Sequence, residues 1–231
     1  MSPFFNYPDS AKYGRMVPKS KIYEHAKASI RLKDLFIEQV DKITWAYKLA
    51  PETININATR SVPEIQVFEI RLKSNALHKD ILTAIDKAIP FPLIFELVHG
   101  DRRKMVATYK RQNEADKSKW VISDHLESAW HKTPVERSSL PPTLDLKALY
   151  EKLLAPLFPD EVAPEAPMQA RIDRLEEIKA QRREVENIEA KLKKEKQFKK
   201  KVAINATLRD AKQKLKELEK LDNISRAEQA I

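Results

Sequence analysis

The chain has 231 residues, 42% hydrophobic and 33% charged, with a net charge of +9 and no cysteine. The absence of cysteine excludes disulfides, thiolate zinc sites, iron–sulfur clusters and cysteine nucleophiles. Only two glycines, Gly14 and Gly100, are present, which is too few for the phosphate-cradling loops of ATPases, GTPases and dinucleotide-binding enzymes.

Residues 1–18 are aromatic and proline-bearing, without periodicity, and read as an extension lying along the surface of a domain. From Ser20 to Ile43 an apolar stripe through Ile22, Ala26, Ile30, Phe36, Val40 and Ile43 predicts a helix. TWAYKL, 44–49, predicts a strand broken by Pro51, and TINI, 53–56, a further short strand. EIQVFEIRLK, 64–73, alternates as a half-buried strand does, with Glu69, Arg71 and Lys73 on one side. Residues 78–89 follow as a helix stopped by Pro90 and Pro92. LIFELV, the turn at Gly100 and the returning run from Lys104 to Lys110 form a hairpin signal. KWVISD, 119–124, predicts one more strand, and Asp145 is placed to cap a helix through Leu146, Leu149, Tyr150, Leu153 and Leu154.

The resulting fold class is α/β: a mixed sheet flanked by helices over 19–158, then a linker at 159–167 carrying prolines and acids. A long helical tail, 168–225, follows. From Met168 to the end the chain has neither proline nor glycine, and carries 18 Lys and Arg against 12 Asp and Glu. Two thirds of the net charge therefore sits there. Ile172, Leu175, Val185, Ile188, Leu192, Leu208, Leu215 and Leu218 recur at helical spacings. The phase slips in the six-residue gap between Leu192 and Phe198, which a straight heptad does not do. Two readings stay open: an imperfect coiled coil, including an antiparallel hairpin, or a single helix lying on a partner.

Helix, strand, short strand, strand, helix, strand is also the order of a restriction-nuclease-like core. In that reading Glu64, Glu69, Arg71 and Lys73 form a degenerate site, and Glu38, Glu64 and Glu69 are the candidate ligands for Mg2+. Arg71 stands where a lysine is expected, and a guanidinium cannot act as a base at neutral pH. His125 and His131, six apart and beside Asp124 and Glu127, are a weaker metal candidate. No histidine pair and no nucleophile triad is otherwise spaced for chemistry. Outside the nuclease alternative no cofactor is expected.

KLKKEKQFKKK, 191–201, holds Lys191, Lys193, Lys194, Lys196, Lys199, Lys200 and Lys201 against the single Glu195. Lysines at such density suit phosphate contact that is salt-dependent and blind to sequence, or else a solubilising face. Arg102, Arg103 and Lys104, with Lys110 and Arg111, form a second basic group around the hairpin, and Tyr109 and Trp120 are stacking candidates. No apolar run reaches the roughly 18 residues of a membrane span, and the start lacks the order of a signal peptide, so a cytoplasmic location is the default.

The segments MVPKSKIYEHA, KITWAYKLAPETINI, EIQVFEIRLK, DKAIPFPLIFEL and SKWVISDHLESAW, in this order and spacing, resemble a family of bacterial proteins catalogued as domain of unknown function 4391. The resemblance runs over roughly 14–220. It implies a genomic setting beside a helicase-type ATPase and a DNA methyltransferase of restriction or phage-defence type. It therefore implies an accessory component of a DNA-handling complex, with those enzymes and DNA as partners. It assigns no catalytic residue. Homo-oligomerisation through the tail, without nucleic acid, is the remaining alternative.

Overall fold

The computed structural model describes residues 2–113, 115–116, 119–159, 162 and 166–228, with side chains to 219. It divides into two compact units, Met1–Phe158 and Pro159–Ile231. The sequence-predicted linker at 159–167 lies largely outside the described residues.

The first unit runs β1 (Phe5–Asn6), β2 (Lys12–Met16), α1 (Lys19–His25), α2 (Ile30–Gln39), β3 (Val40–Leu49), α3 (Pro51–Ile54), β4 (Ile65–Leu72), α4 (Lys79–Ala88), β5 (Leu93–His99) and β6 (Arg102–Ala107). Then come β7 (Lys110–Gln112), β8 (Trp120–Ile122), β9 (Leu126–Glu127), β10 (His131–Lys132), β11 (Ser138–Ser139) and α5 (Leu146–Leu154). Among the described residues the main sheet has seven strands, in the order β10-β6-β5-β4-β3-β2, with β9 also paired to β6. β4 and β5 are parallel and joined through α4; the other pairs of this sheet are antiparallel. The β5–β6 hairpin turns at Gly100, whose φ of +55° suits a residue without a Cβ.

Alternation along the central strands sorts the side chains. Phe68, Ile70 and Leu72 of β4 and Phe95 and Leu97 of β5 join Ile22, Phe36, Ile81 and Ile85 of the helices in one core. Glu69 and Arg71 consequently point to the opposite side, as period two requires.

Several sequence expectations change here. The helix expected from Ser20 to Ile43 is two helices, separated where Lys27 takes a φ of +48°. The second starts at Ser29, whose side chain accepts from the Leu32 amide at 3.3 Å. It ends at Gln39, so Val40 and Ile43 belong to β3. The 36–40–43 spacing fits a helix, but β-branched residues also suit a pleated strand. Ile30, expected in the core, is 79% exposed. The short strand expected at TINI is absent: Pro51–Ile54 is one helical turn closed by Asn55 at φ +54°. Only two strands therefore precede α4 after α2, and the meander of a nuclease-like core is not formed. The first 18 residues do not merely lie along the surface: β2 forms a sheet edge against β3, β1 pairs with β11, and Phe4 is buried. Asp145 caps α5 as the sequence predicts, accepting from the Ala148 amide at 2.8 Å. β8 forms where expected, but in a separate pair with β7.

The second unit is α6 (Met168–Lys194) and α7 (Phe198–Glu228). Hydrogen bonds run from Arg174 to the Leu218 carbonyl and from the Gln181 amide group to the Ala211 carbonyl at 3.1 Å. Positions rising along α6 meet positions falling along α7, so the tail is an antiparallel hairpin. Val185, Ile188 and Leu208 pack with Leu192, Ile204, Ala211 and Leu215 between the helices. The phase slip seen in the sequence is the turn at 195–197, where neither helix is continued. Among the described residues no helix is long and apolar enough to cross a membrane.

Candidate nucleic-acid interface

Two charged arrangements compete for a functional role. The first lies on the sheet face opposite α1, α2 and α4. Glu69 and Glu96 are register partners on the parallel strands β4 and β5. Arg103 of β6 donates to Glu96 at 2.7 Å and to Glu69 at 3.1 Å. Arg137 donates to both Glu96 oxygens, at 2.9 and 2.6 Å, and to the Phe5 carbonyl at 2.8 Å. Arg71 reaches Glu69 at 3.2 Å. The bond to Glu96 lifts the Arg137 pKa above its ordinary value, so this cation stays charged. Each carboxylate thus faces guanidinium groups, and two acids are balanced by two half-buried arginines before the more exposed Arg71 is counted.

The other members of the sequence-predicted nuclease site are elsewhere. Glu64 pairs with Lys48 at 3.4 Å and with Gln66, five residues and about 16 Å of strand from Glu69. Lys73 donates to the Ile37 carbonyl at 2.7 Å, at the end of α2, where Lys19 also donates to the Phe36 carbonyl at 3.2 Å. Both ammonium groups are thus engaged by carbonyls in the last turn of α2, where the Phe36 carbonyl also accepts the Val40 amide. Glu38 is exposed on α2. Among the described residues no three His, Asp or Glu gather as a metal site. His131 packs edge-on against Phe4 at 5.4 Å, and His125 bonds Asp86 at 3.0 Å. The histidine metal candidate is therefore not formed.

The hairpin basic group is also engaged internally. Arg103 is held as above, Lys104 pairs with Glu127, and Lys110 is 2% exposed and bound to Asp86 at 2.9 Å. Arg102 remains exposed. Tyr109 is buried beside Tyr150, with ring centroids 6.1 Å apart, and is core rather than a stacking platform. Trp120 is half-buried.

The second arrangement is the turn of the α6–α7 hairpin. Lys191, Lys193 and Lys194 occupy the last turns of α6, Lys196 the connection, and Lys199, Lys200 and Lys201 the first turn of α7; all seven lie toward solvent. Among the described residues none of them has a carboxylate within 4 Å in a salt bridge. Glu195 is directed elsewhere: its Oε1 accepts from the Lys196 and Gln197 amides, both at 2.7 Å. Those bonds, the Gln197 one first, hold its pKa below the ordinary carboxylate value. Lysines at the end of α6 complement the helix dipole, but the three at the start of α7 oppose it. No acid stands in that first turn. Phe198 and Val202 emerge among these lysines, 79% and 54% exposed.

The family model described as domain of unknown function (DUF4391) matches residues 5–215, which spans the sheet unit and most of the hairpin. The chain belongs to this family. No curated protein and no solved structure matches it significantly. Both charged arrangements lie within the DUF4391 match.

Sequence reasoning missed Glu96, Arg137 and Asp86. Glu96 did carry a signal: a lone acid inside LIFELV needs a buried partner. Arg137 carried none, because it stands in a loop 41 residues away.

Proposed function

We propose that this DUF4391 protein is a non-catalytic accessory component of a DNA-handling complex, and that the turn of its helical hairpin grips the DNA backbone. The observation that carries the reading is the set of seven solvent-facing lysines at one end of the hairpin, none of them bridged to a carboxylate among the described residues. Three of them oppose the dipole of α7, so an approaching phosphate relieves a repulsion already present. Lysine offers a point charge rather than a fixed fork, which suits backbone contact without base readout. The sheet unit, with its own core, is the docking module for a partner enzyme. A helicase-type ATPase or a DNA methyltransferase of a restriction or defence system is the proposed partner, tested by co-elution of the purified proteins. A non-catalytic role accords with Glu69, whose oxygens are taken by Arg71 and Arg103. It also accords with a hairpin whose seam residues pack helix against helix.

The test is duplex binding across a salt series with Mg2+ present, comparing the full chain with the quadruple variant Lys196→Gln, Lys199→Gln, Lys200→Gln, Lys201→Gln. The slope of log affinity against log salt should shrink by about 0.9 for each phosphate that the variant no longer grips. Duplex affinity that is unchanged in the variant would sink the tip as the point of attachment. Mg2+-dependent cleavage abolished by Glu69→Ala would restore the nuclease alternative.

A further inference from the structure

Phosphate contact does not account for Phe198. A solubilising or phosphate-gripping turn needs only polar side chains, yet this lysine cluster carries a bare aromatic ring. Phe198 is 79% exposed and Val202, one turn on, is 54% exposed. The apolar seam of the hairpin does not include them. Ile204, Leu208, Ala211 and Leu215 form that seam at spacings of four, three and four. Phe198, Val202, Asn205 and Arg209 run at spacings of four, three and four along a separate stripe of α7, which is exposed throughout. An open groove lined by Asn205, Arg209, Lys212 and Lys216 continues along α7, beginning about 10 Å beyond Phe198. Lys212 within it is paired with Glu189.

An aromatic ring set among cations is the combination that holds single-stranded nucleic acid. The cations follow the backbone, and the ring stacks on any base whose face is open. Duplex DNA keeps its base faces covered; a strand opened by a helicase, a junction or a flipped base does not. The geometry points to Phe198 as a base-stacking platform that gives the hairpin turn a preference for single-stranded or unstacked DNA over intact duplex. This rests on the DNA-contacting reading above and deepens it. An anionic lipid surface is the less suitable occupant. Interfacial helices bury an apolar face along their length, whereas here the other apolar residues of α7 named above are engaged against α6 and a single turn is left.

The experiment measures the full chain against four probes: a 20-nucleotide dT strand, the same strand with abasic sites, a duplex of equal phosphate number, and phosphatidylserine vesicles. Wild type should bind the dT strand more tightly than the abasic strand, by on the order of tenfold. Phe198→Ala and Phe198→Leu should both erase that difference, while Phe198→Trp keeps it. Duplex affinity and its salt slope should stay as in wild type for all three variants, which also shows that they are folded. If Phe198→Ala binds dT as wild type does, with duplex binding intact, the stacking platform is overturned and the backbone grip survives. If wild type binds no DNA at either low or high salt, both readings fall. Binding to vesicles that disappears in Phe198→Ala, with no effect on dT, replaces DNA with a membrane surface.

Discussion

Asp86 is the most committed single residue. Its carboxylate is buried on α4 and receives Lys110 at 2.9 Å, His125 at 3.0 Å and the Thr108 hydroxyl at 3.2 Å. The Lys110 ammonium pairs with that carboxylate by charge, and directs its three N–H bonds to the carbonyls of Asp86, Ile89 and Phe91 at 2.8, 3.1 and 3.0 Å. The cluster ties the end of α4 to the region where β6 gives way to β7, and burial draws the Lys110 pKa below its usual value. Asp86→Ala would leave that cation without its counter-charge, a destabilisation of about 3–5 kcal/mol by urea denaturation. The Lys110→Met, Asp86→Ala double variant should be destabilised by less than the two single variants summed, since the groups act as a pair. An unchanged midpoint for Asp86→Ala would show the pair to be energetically silent. Little of this was legible in the sequence. Alternation put Glu69 and Arg71 on one side of a strand, and they are there, but pairs such as Lys110–Asp86, Arg103–Glu69 and Arg137–Glu96 join residues 24 to 41 positions apart. Periodicity is local and carries no such information.

At the scale of elements, regular stretches bounded by strong punctuation were readable. Pro90 stops α4, Gly100 turns the hairpin, and Asp145 caps α5. Elements whose boundary lay in an ambiguous period were not, as Val40 and Ile43 show. In the tail the broken phase was the useful sign, because it marked the turn that the absence of glycine and proline had concealed. Glu195 closes that turn with its carboxylate, so the contribution has a pH sign. Its folded pKa lies below 4.5, the carboxylate is favoured in the folded state, and the stabilisation is present above 4.5 and fades as pH falls through the folded value. Carbon-detected titration should place Glu195 below the ordinary value, and replacing Lys200 and Lys201 by Gln should move it little, because the backbone amides come first among the causes. A midpoint at or above 4.5 would remove Glu195 as the clasp. Within the seam, Leu208→Ala should weaken the hairpin by about 2 kcal/mol, at the low end for a core leucine, because the cluster is small. The fall of the helical signal on heating is the measurement.

For the molecule as a whole, most of the net charge and the larger core belong to different units. The chain carries +9, of which residues 168–231 hold +6. A chain ending at residue 165 should keep the cooperative unfolding of the sheet unit, whose core residues all precede Phe158 in the sheet-and-helix cluster. It should lose salt-dependent DNA binding with the hairpin. Binding retained by the truncated chain would move the interface to Arg102 and its neighbours. The hairpin has one further property that comes from its form alone. Its 27-residue first helix is about 40 Å long, and the strand of chain that leaves the root along α6 comes back to it along α7. It is therefore a lever. A rotation of about 10° about the Met168 end carries the turn at 195–197 through about 7 Å, so under the proposed reading a partner that bound that end and tilted the helices by a few degrees would decide which base Phe198 meets.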